Sequence, residues 1–160
     1  MTQASQYVTL GVDRDVFAVP VGCVREILDV PAVARLPHAP PFLLGMIDVR
    51  GHAVPVVDLR VRLGLPAAGA TPDTRILVLE VPLAERPLVV GLMADRVFEV
   101  TGLDGDGLES APEIGTRWDS ACIAGVGRRG RGFVVVFDVA HLFGSADLPV
   151  LGGAPADLAA

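Results

Sequence analysis

Two glutamates in matching surroundings are the first residues to consider for catalysis. Glu26 lies in the tetrapeptide Val-Arg-Glu-Ile and Glu99 in Val-Phe-Glu-Val. A pair of carboxylates can act as general acid and general base in hydrolysis. Each glutamate, however, has β-branched residues at positions i−2 and i+1, which is typical of an outward acid on a strand whose neighbours face the core. The pattern therefore favours a structural role.

The histidines and cysteines share no spacing that chemistry requires. His38, His52 and His141 fall in different predicted elements, with no metal-ligand spacing to each other or to cysteine. Cys23 and Cys122 have apolar neighbours and suit small hydrophobic positions. The sequence contains no G-x-S-x-G string and nothing that marks a nucleophile beside a base. We therefore predict no metal, no cofactor and no enzymatic activity.

Two glycine-bearing strings resemble ligand loops only superficially. Residues 125–130 match G-x-G-x-x-G, but a dinucleotide loop must open a helix, and the strand-like run 133–137 follows here. Residues 104–109 fail the calcium-loop pattern, because leucine takes the fifth position and glycine the twelfth. We interpret the first string as a hairpin turn and the second as an acidic loop.

Residues 45–64, GMIDVRGHAVPVVDLRVRLG, give the clearest structural pattern. Two apolar runs flank Gly51-His52, which suits a two-residue type II′ turn because glycine accepts positive φ. Asp58 can cap a short helix, and Gly64 can end that helix in the left-handed conformation. The stretch predicts a strand, a tight turn, a second strand and a capped helical turn.

The same order of features returns in residues 125–144, GVGRRGRGFVVVFDVAHLFG. The tetrapeptides around the two glutamates also match, as do the apolar runs that precede them. This common order indicates an internal duplication and two similar substructures. Short strands, tight turns and little helix predict two small β-barrels.

Other elements follow from local patterns. We predict strands at 6–12, 16–19, 75–81, 87–100, 121–127 and 132–137. Residues 20–28 should begin as a helical turn and become extended, and 87–100 should bend near Gly91. Pro55 suggests an edge or a bulge in its strand. Residues 103–117 read as a polar loop.

Composition limits the class of protein. The 160 residues suffice for one domain or two small packed ones, and 51% hydrophobic content excludes extensive disorder. No apolar run approaches the roughly 20 residues that cross a bilayer, and the N-terminus lacks the features of a signal peptide. The net charge of −6 opposes binding to nucleic acid. We predict a cytosolic protein.

Five motifs in order closely resemble the CheW coupling proteins of bacterial chemotaxis. They are Val24-x-Glu26-Ile27, Leu36-Pro37-x-Ala39-Pro40, Gly45-x-Ile47-x-Val49-Arg50-Gly51, Val54-Pro55-Val56-Val57-Asp58-Leu59 and Gly91-Leu92-x-x-Asp95-x-Val97. The resemblance covers about residues 6–144. It departs at Asp48, where the family more often has asparagine.

The resemblance implies an all-β fold of two SH3-like five-stranded barrels within one CheW-like domain, 6–144. From the residues, we place its halves at about 6–66 and 73–144, on either side of a small-residue linker, and expect a flexible tail at 145–160, which is small and polar. The resemblance also implies a non-enzymatic adaptor without cofactors, which joins the cytoplasmic tip of methyl-accepting chemotaxis receptors to the regulatory domain of the histidine kinase CheA. Such a protein is cytoplasmic and recruited to membrane-associated receptor arrays, without inserting into the membrane.

By motif match, the candidate receptor contacts are Ile27, Arg50, Leu92 and Val97, and the candidate kinase contacts are Gly51, Val54 and Val56. Two alternatives remain open from the residues alone. A small SH3-like barrel can bind nucleic acid, and an unrecognised hydrolase can lack familiar motifs.

Overall fold

The computed structural model describes residues 6–82, 87–102, 104–109, 123–130 and 132–143. The predicted tail, 145–160, lies outside these ranges. The elements in chain order are β1 (Tyr7–Val12), β2 (Asp15–Pro20), a 3₁₀ turn (Val21–Cys23), β3 (Val24–Asp29), β4 (Leu43–Val49), β5 (His52–Asp58), α1 (Leu59–Arg62), β6 (Arg75–Val81), β7 (Leu88–Ala94), β8 (Arg96–Thr101), β9 (Asp104–Glu109), β10 (Ile123–Arg129), β11 (Gly132–Phe137) and α2 (Val139–Leu142).

The strands form two sheets, which confirms the predicted all-β class. Sheet A has the order β8-β1-β2-β11-β10-β9, and sheet B has the order β3-β6-β7-β5-β4. Strand β9 lies where we predicted a polar loop, and it adds a sixth strand to the edge of sheet A. Loop prediction failed there because glycine and aspartate disfavour strands by propensity, whereas pairing with β10 supplies the backbone partners.

The internal duplication is confirmed by strand register. The order β3-β6-β7-β5-β4 has its counterpart in β8-β1-β2-β11-β10. The one parallel pairing in each sheet also matches: Val56 lies opposite Gly91 in sheet B, and Val136 lies opposite Ala18 in sheet A. A bulge interrupts the β4–β5 and β10–β11 hairpins at the same place.

Each half of the repeat contributes its first hairpin to the sheet of the other half. Hairpin β1–β2 lies between β8 and β11, and hairpin β6–β7 lies between β3 and β5. Sheet B is therefore built from the continuous segment 24–94, whereas sheet A combines strands from both ends of the chain. The connection 66–72, which we predicted as the boundary of the repeat, is not a boundary between the sheets, because sheet B continues through it.

One hydrophobic core joins the two sheets. Its fully buried side chains include Leu10 and Phe17 from one sheet, and Leu79 and Leu92 from the other. The rings of Phe17 and Phe137 stack with centroids 5.0 Å apart and an interplanar angle of 8°. Since these strands come from opposite ends of the chain, the core depends on the exchanged arrangement.

The predicted strand 87–100 is two strands in different sheets. The chain changes sheet at Asp95, rather than bending at Gly91. The Asp95 carboxylate accepts from Arg60 Nη1 at 2.6 Å and from the Asp13 backbone N–H at 2.7 Å, and these bonds fix the crossing point. Gly91 instead allows close packing, because an added Cβ would lie 2.9 Å from Ile76 Cγ2.

Pro55 lies in an interior strand, so the edge that we expected is wrong. The alternative, a bulge, is present one residue away, where the β4–β5 register shifts between the Met46–Pro55 pair and Val57. Strand β5 runs between β4 and β7. Its pairing with β7 begins at Val56, one residue after the proline. The proline is tolerated because the parallel ladder does not require a donor from that residue.

Asp58 caps α1 as predicted, and it does so from a buried position. Its Oδ1 accepts from Arg60 N at 3.0 Å, and the residue is 3% exposed. Burial raises the pKa of Asp58, and this outweighs the lowering by the backbone N–H groups of Arg60 and Val61 and by the Arg60 charge. The folded protein therefore holds this proton more tightly than the unfolded chain does.

The raised pKa predicts how Asp58→Asn should behave. Asparagine keeps a capping oxygen but does not ionise. Because the pKa is higher in the folded state, the wild type gains stability below the ordinary aspartate pKa of about 3.9 and loses it as pH rises through the folded-state value. We expect the unfolding free energy of the wild type, relative to the variant, to fall with rising pH in urea titrations. A relative stability that rises with pH would contradict this assignment.

Candidate partner-binding surface

The turn between β4 and β5 differs from the predicted one. Val49 pairs with His52, so the two turn residues are Arg50 and Gly51. Their φ angles are 52° and 85°, which defines a type I′ turn rather than type II′. The Gly51 N–H donates to Asp48 Oδ1 at 2.8 Å, so the departure from asparagine at position 48 still caps the turn.

Arg50 has a left-handed backbone conformation, which glycine adopts more readily than arginine. Its counterpart in the second half is Gly130, with φ 61°. A left-handed conformation costs a residue with a side chain about 1 kcal/mol or more. Strain of this kind clusters at functional sites, so Arg50 stays a candidate contact residue; Asp13 and His38 share its positive φ.

The Arg50 side chain projects toward solvent beside strand β3. Its Nη2 lies 3.5 Å from Glu26 Oε1, and the two side chains are 81% and 24% exposed. Exposed ion pairs contribute about 0–1 kcal/mol to stability. The pair thus orients the guanidinium at small cost and leaves most of it accessible.

Strand β3, at the edge of sheet B, presents the aliphatic residue Ile27 outward. Ile27 is 42% exposed, whereas Glu26 is half-buried, so our prediction of an outward glutamate with core-facing neighbours was wrong on this strand. Two ion pairs to β6 flank Ile27, namely Arg25–Glu80 at 3.5 Å and Asp29–Arg75 at 3.3 Å. The outer face of β3 therefore presents one apolar side chain, that of Ile27, between two ion pairs.

Strand β8, at the edge of sheet A, repeats this exposure. Val100, the counterpart of Ile27, is 52% exposed, and Phe98 is 47% exposed. The Arg96 guanidinium lies 5.6 Å from the centre of the Phe98 ring. Neither apolar residue was selected from the sequence, although the matching tetrapeptides pointed to both strands. Val97 is half-buried and packs against the shared core.

Three of the predicted contact residues belong to the core. Leu92 and Val56 are 0% exposed and Val54 is 3% exposed, so their side chains cannot touch a partner in this structure. Strands β5 and β7 are interior to sheet B, which explains their burial. Gly51 is exposed at the tip of the hairpin. The structure thus brings together Arg50, Gly51 and the β3 edge.

The two glutamates in matching surroundings do not share a sheet. Glu26 and Glu99 lie in different sheets, and Glu99 uses its backbone to bond Thr9 Oγ1. Among the residues described, no group of three or more histidines, cysteines or carboxylates could hold a metal ion. No helix in the same ranges is long and apolar enough to cross a membrane.

Comparison with known proteins gives consistent matches. The CheW-like domain family model matches residues 6–147. The chemotaxis protein CheW of Rhizobium meliloti is 32% identical over 134 residues, covering 79% of this chain and 84% of that protein. CheW of Treponema pallidum is 27% identical, covering 91% of this chain and 86% of that protein. The crystal structure of the scaffolding protein TtCheW from Thermoanaerobacter tengcongensis superposes with a TM-score of 0.80 at 24% identity, covering 92% of each chain.

Proposed function

This chain belongs to the CheW family of bacterial chemotaxis proteins, and from that membership we propose that it is a non-enzymatic adaptor joining chemoreceptors to a histidine kinase. The fold is the two-part SH3-like arrangement of its relatives. The observation that carries the proposal is Arg50, an exposed arginine in a strained turn beside an exposed edge strand. A side chain that the fold does not need supports a role in binding.

The proposed receptor side is the surface formed by Ile27 and Arg50. Val97 is not included, because it lies in the other sheet and packs against the shared core. The cytoplasmic tip of a chemoreceptor is helical, and a helix can place apolar residues against Ile27 while its polar groups meet Arg50. Arginine suits this contact because its planar guanidinium can bind a carboxylate or carbonyl in a forked geometry. Leu92 supports this surface from the core rather than by contact.

The proposed kinase side is the exposed end of the β4–β5 hairpin at Gly51. Val54 and Val56 hold the hairpin in sheet B through their burial. The partner we propose is the regulatory domain of CheA. We also propose a cytoplasmic location, with recruitment to membrane-associated receptor arrays through these contacts. No observation favours the nucleic-acid or hydrolase alternatives.

Reconstitution of the three components tests the adaptor function. Added to the cognate kinase and receptor-bearing membranes, this chain should raise kinase autophosphorylation from ATP and make it respond to receptor ligand. The chain with ATP alone should incorporate no phosphate, because it contributes contacts and no catalysis. Kinase activity that is equally high and equally ligand-sensitive without the chain would contradict the proposal.

A further inference from the structure

The exchange of hairpins between the halves follows from two short connections. Only the 3₁₀ turn Val21–Cys23 joins β2 to β3, and only Asp95 joins β7 to β8. In sheet B, β3 is antiparallel to β6 and β6 is antiparallel to β7, so β3 and β7 run parallel. In the repeat, hairpin β1–β2 corresponds to hairpin β6–β7. If β1–β2 took the place of β6–β7 in sheet B, strand β2 would therefore run parallel to β3.

That self-closed arrangement is excluded by chain length. The chain would have to return from the end of β2 to the start of β3, about 20 Å for a six-residue strand. Three linking residues span about 14 Å at full extension, and parallel strands need a connection of about a dozen residues. The single residue Asp95 spans an even shorter distance, so the second half cannot close on its own hairpin β6–β7 either. Each hairpin must therefore enter a sheet that its own half does not make.

Sheet A is incomplete without hairpin β1–β2, because β8 and β11 would face a gap. Besides Ala18, the hairpin buries five apolar side chains to 2% exposure or less, namely Val8, Leu10, Val12, Phe17 and Val19. Burying each contributes about 1.5–3 kcal/mol, and together they rival the whole stability of a domain of this size. The hairpin cannot leave the folded protein, so its position is chosen during folding.

We propose that a second copy of this chain can supply the hairpin during folding, giving a dimer in which β1–β2 of each copy lies between β8 and β11 of the other. The contacts of the hairpin with these strands are the same whichever copy provides it. What changes is the link 21–23. Its first two residues lie at the surface, since Val21 is 38% exposed and a Cβ on Gly22 would meet no atom within 4 Å, whereas Cys23 packs against the shared core. The other link, Asp95, stays anchored to Arg60.

The proposal predicts a concentration dependence. Within one chain, a short tether gives the hairpin an effective concentration in the millimolar range or above. Chains that fold at tens of micromolar should therefore be almost entirely monomeric, and the dimer fraction should rise about in proportion to concentration up to about 1 mM. Because the hairpin cannot leave once folded, the dimers should persist on dilution.

Native mass spectrometry of the wild-type chain tests this directly. Unlabelled and ¹⁵N-labelled chains are unfolded together in denaturant, refolded at several concentrations and diluted. We expect dimers of mixed mass that survive dilution, and none when the two batches are refolded separately and then mixed. Absence of mixed dimers at every refolding concentration would overturn the proposal, as would mixed dimers that form without unfolding.

Disulfide trapping then identifies the exchanged element. In a background with Cys23→Ala and Cys122→Ser, one chain carries Tyr7→Cys and the other Thr101→Cys, since these residues face each other across β1 and β8. Co-refolded chains should form a covalent dimer on oxidation. The matched control places Asp29→Cys and Arg75→Cys on separate chains; these residues pair across β3 and β6, which stay within one copy. Equal cross-linking by both pairs would exclude exchange of β1–β2.

Discussion

Replacement of Gly45 by alanine should lower the free energy of unfolding by about 3 kcal/mol or more, from backbone strain and overpacking together. Gly45 has φ 153°, a conformation that residues with side chains rarely adopt. An added Cβ would overlap the carbonyl oxygen of Ala34 and lie 2.8 Å from Val33 Cγ1. The overlap is with backbone, so a side-chain rotation cannot relieve it.

The substitution should also weaken hydrogen bonds, because Ala34, which the new methyl group would overlap, pairs with β4. Ala34 and Met46 exchange two backbone hydrogen bonds, each 2.8 Å long. Moving Ala34 away from the new methyl group would break both of them. Urea unfolding of Gly45→Ala measures the loss, with Gly22→Ala and Gly69→Ala as controls, since a Cβ at either position meets no atom within 4 Å. A variant as stable as these controls would show that 33–34 can move freely.

Arg50→Glu should weaken receptor binding by about 2 kcal/mol, or roughly thirtyfold in Kd, because it removes an interface contact and adds repulsion. The stability of the fold should change by about 0.5 kcal/mol or less, as for most surface substitutions. An internal ion pair to Asp48 or Asp58 would have reversed this pattern. Both carboxylates instead cap backbone N–H groups, and Arg50 pairs with Glu26 while staying exposed.

Arg50→Asn separates binding from folding more sharply. Asn-Gly is a preferred pair for a type I′ turn, so this variant should be more stable than the wild type by about 1 kcal/mol while it loses affinity. Calorimetry against a receptor-tip fragment and against the kinase regulatory domain, with melting curves, measures both effects. Arg14→Glu, in the exposed turn of sheet A, is the control for the charge change. Unchanged affinity for both partners would remove Arg50 from the binding surface.

The features predicted from sequence are those that depend on near neighbours in the chain. The Asp58 cap, the glycine that ends α1 and the hairpin strands were all visible, because turns and caps impose local residue choices. The repeat was visible because both halves keep the same order of such choices. The turn type was missed because arginine rarely adopts positive φ. We therefore placed the turn at Gly51-His52, one residue after its actual position at Arg50-Gly51.

Exposure at the candidate surface could not be obtained in the same way. Ile27 and Leu92 look equally apolar in the sequence, yet one lies on an edge strand and the other on an interior strand. Which of the two side chains is exposed depends on the order of the strands. That order depends in turn on the short length of the link Val21–Cys23. Neither the hydrophobic period nor the composition of a hairpin specifies which sheet it enters.

Sheet A also has a consequence for synthesis on the ribosome. Residues 24–94 can form sheet B as they emerge. The hairpin made before them can pair with β8 once Thr101 has emerged, but its second neighbour, β11, is complete only about 120 residues after the hairpin. At about 5–20 residues per second, this delay is roughly ten seconds. During that time the five apolar side chains of the nascent hairpin are without some of their final partners. The N-terminal segment is therefore where a holding chaperone should bind this chain during translation.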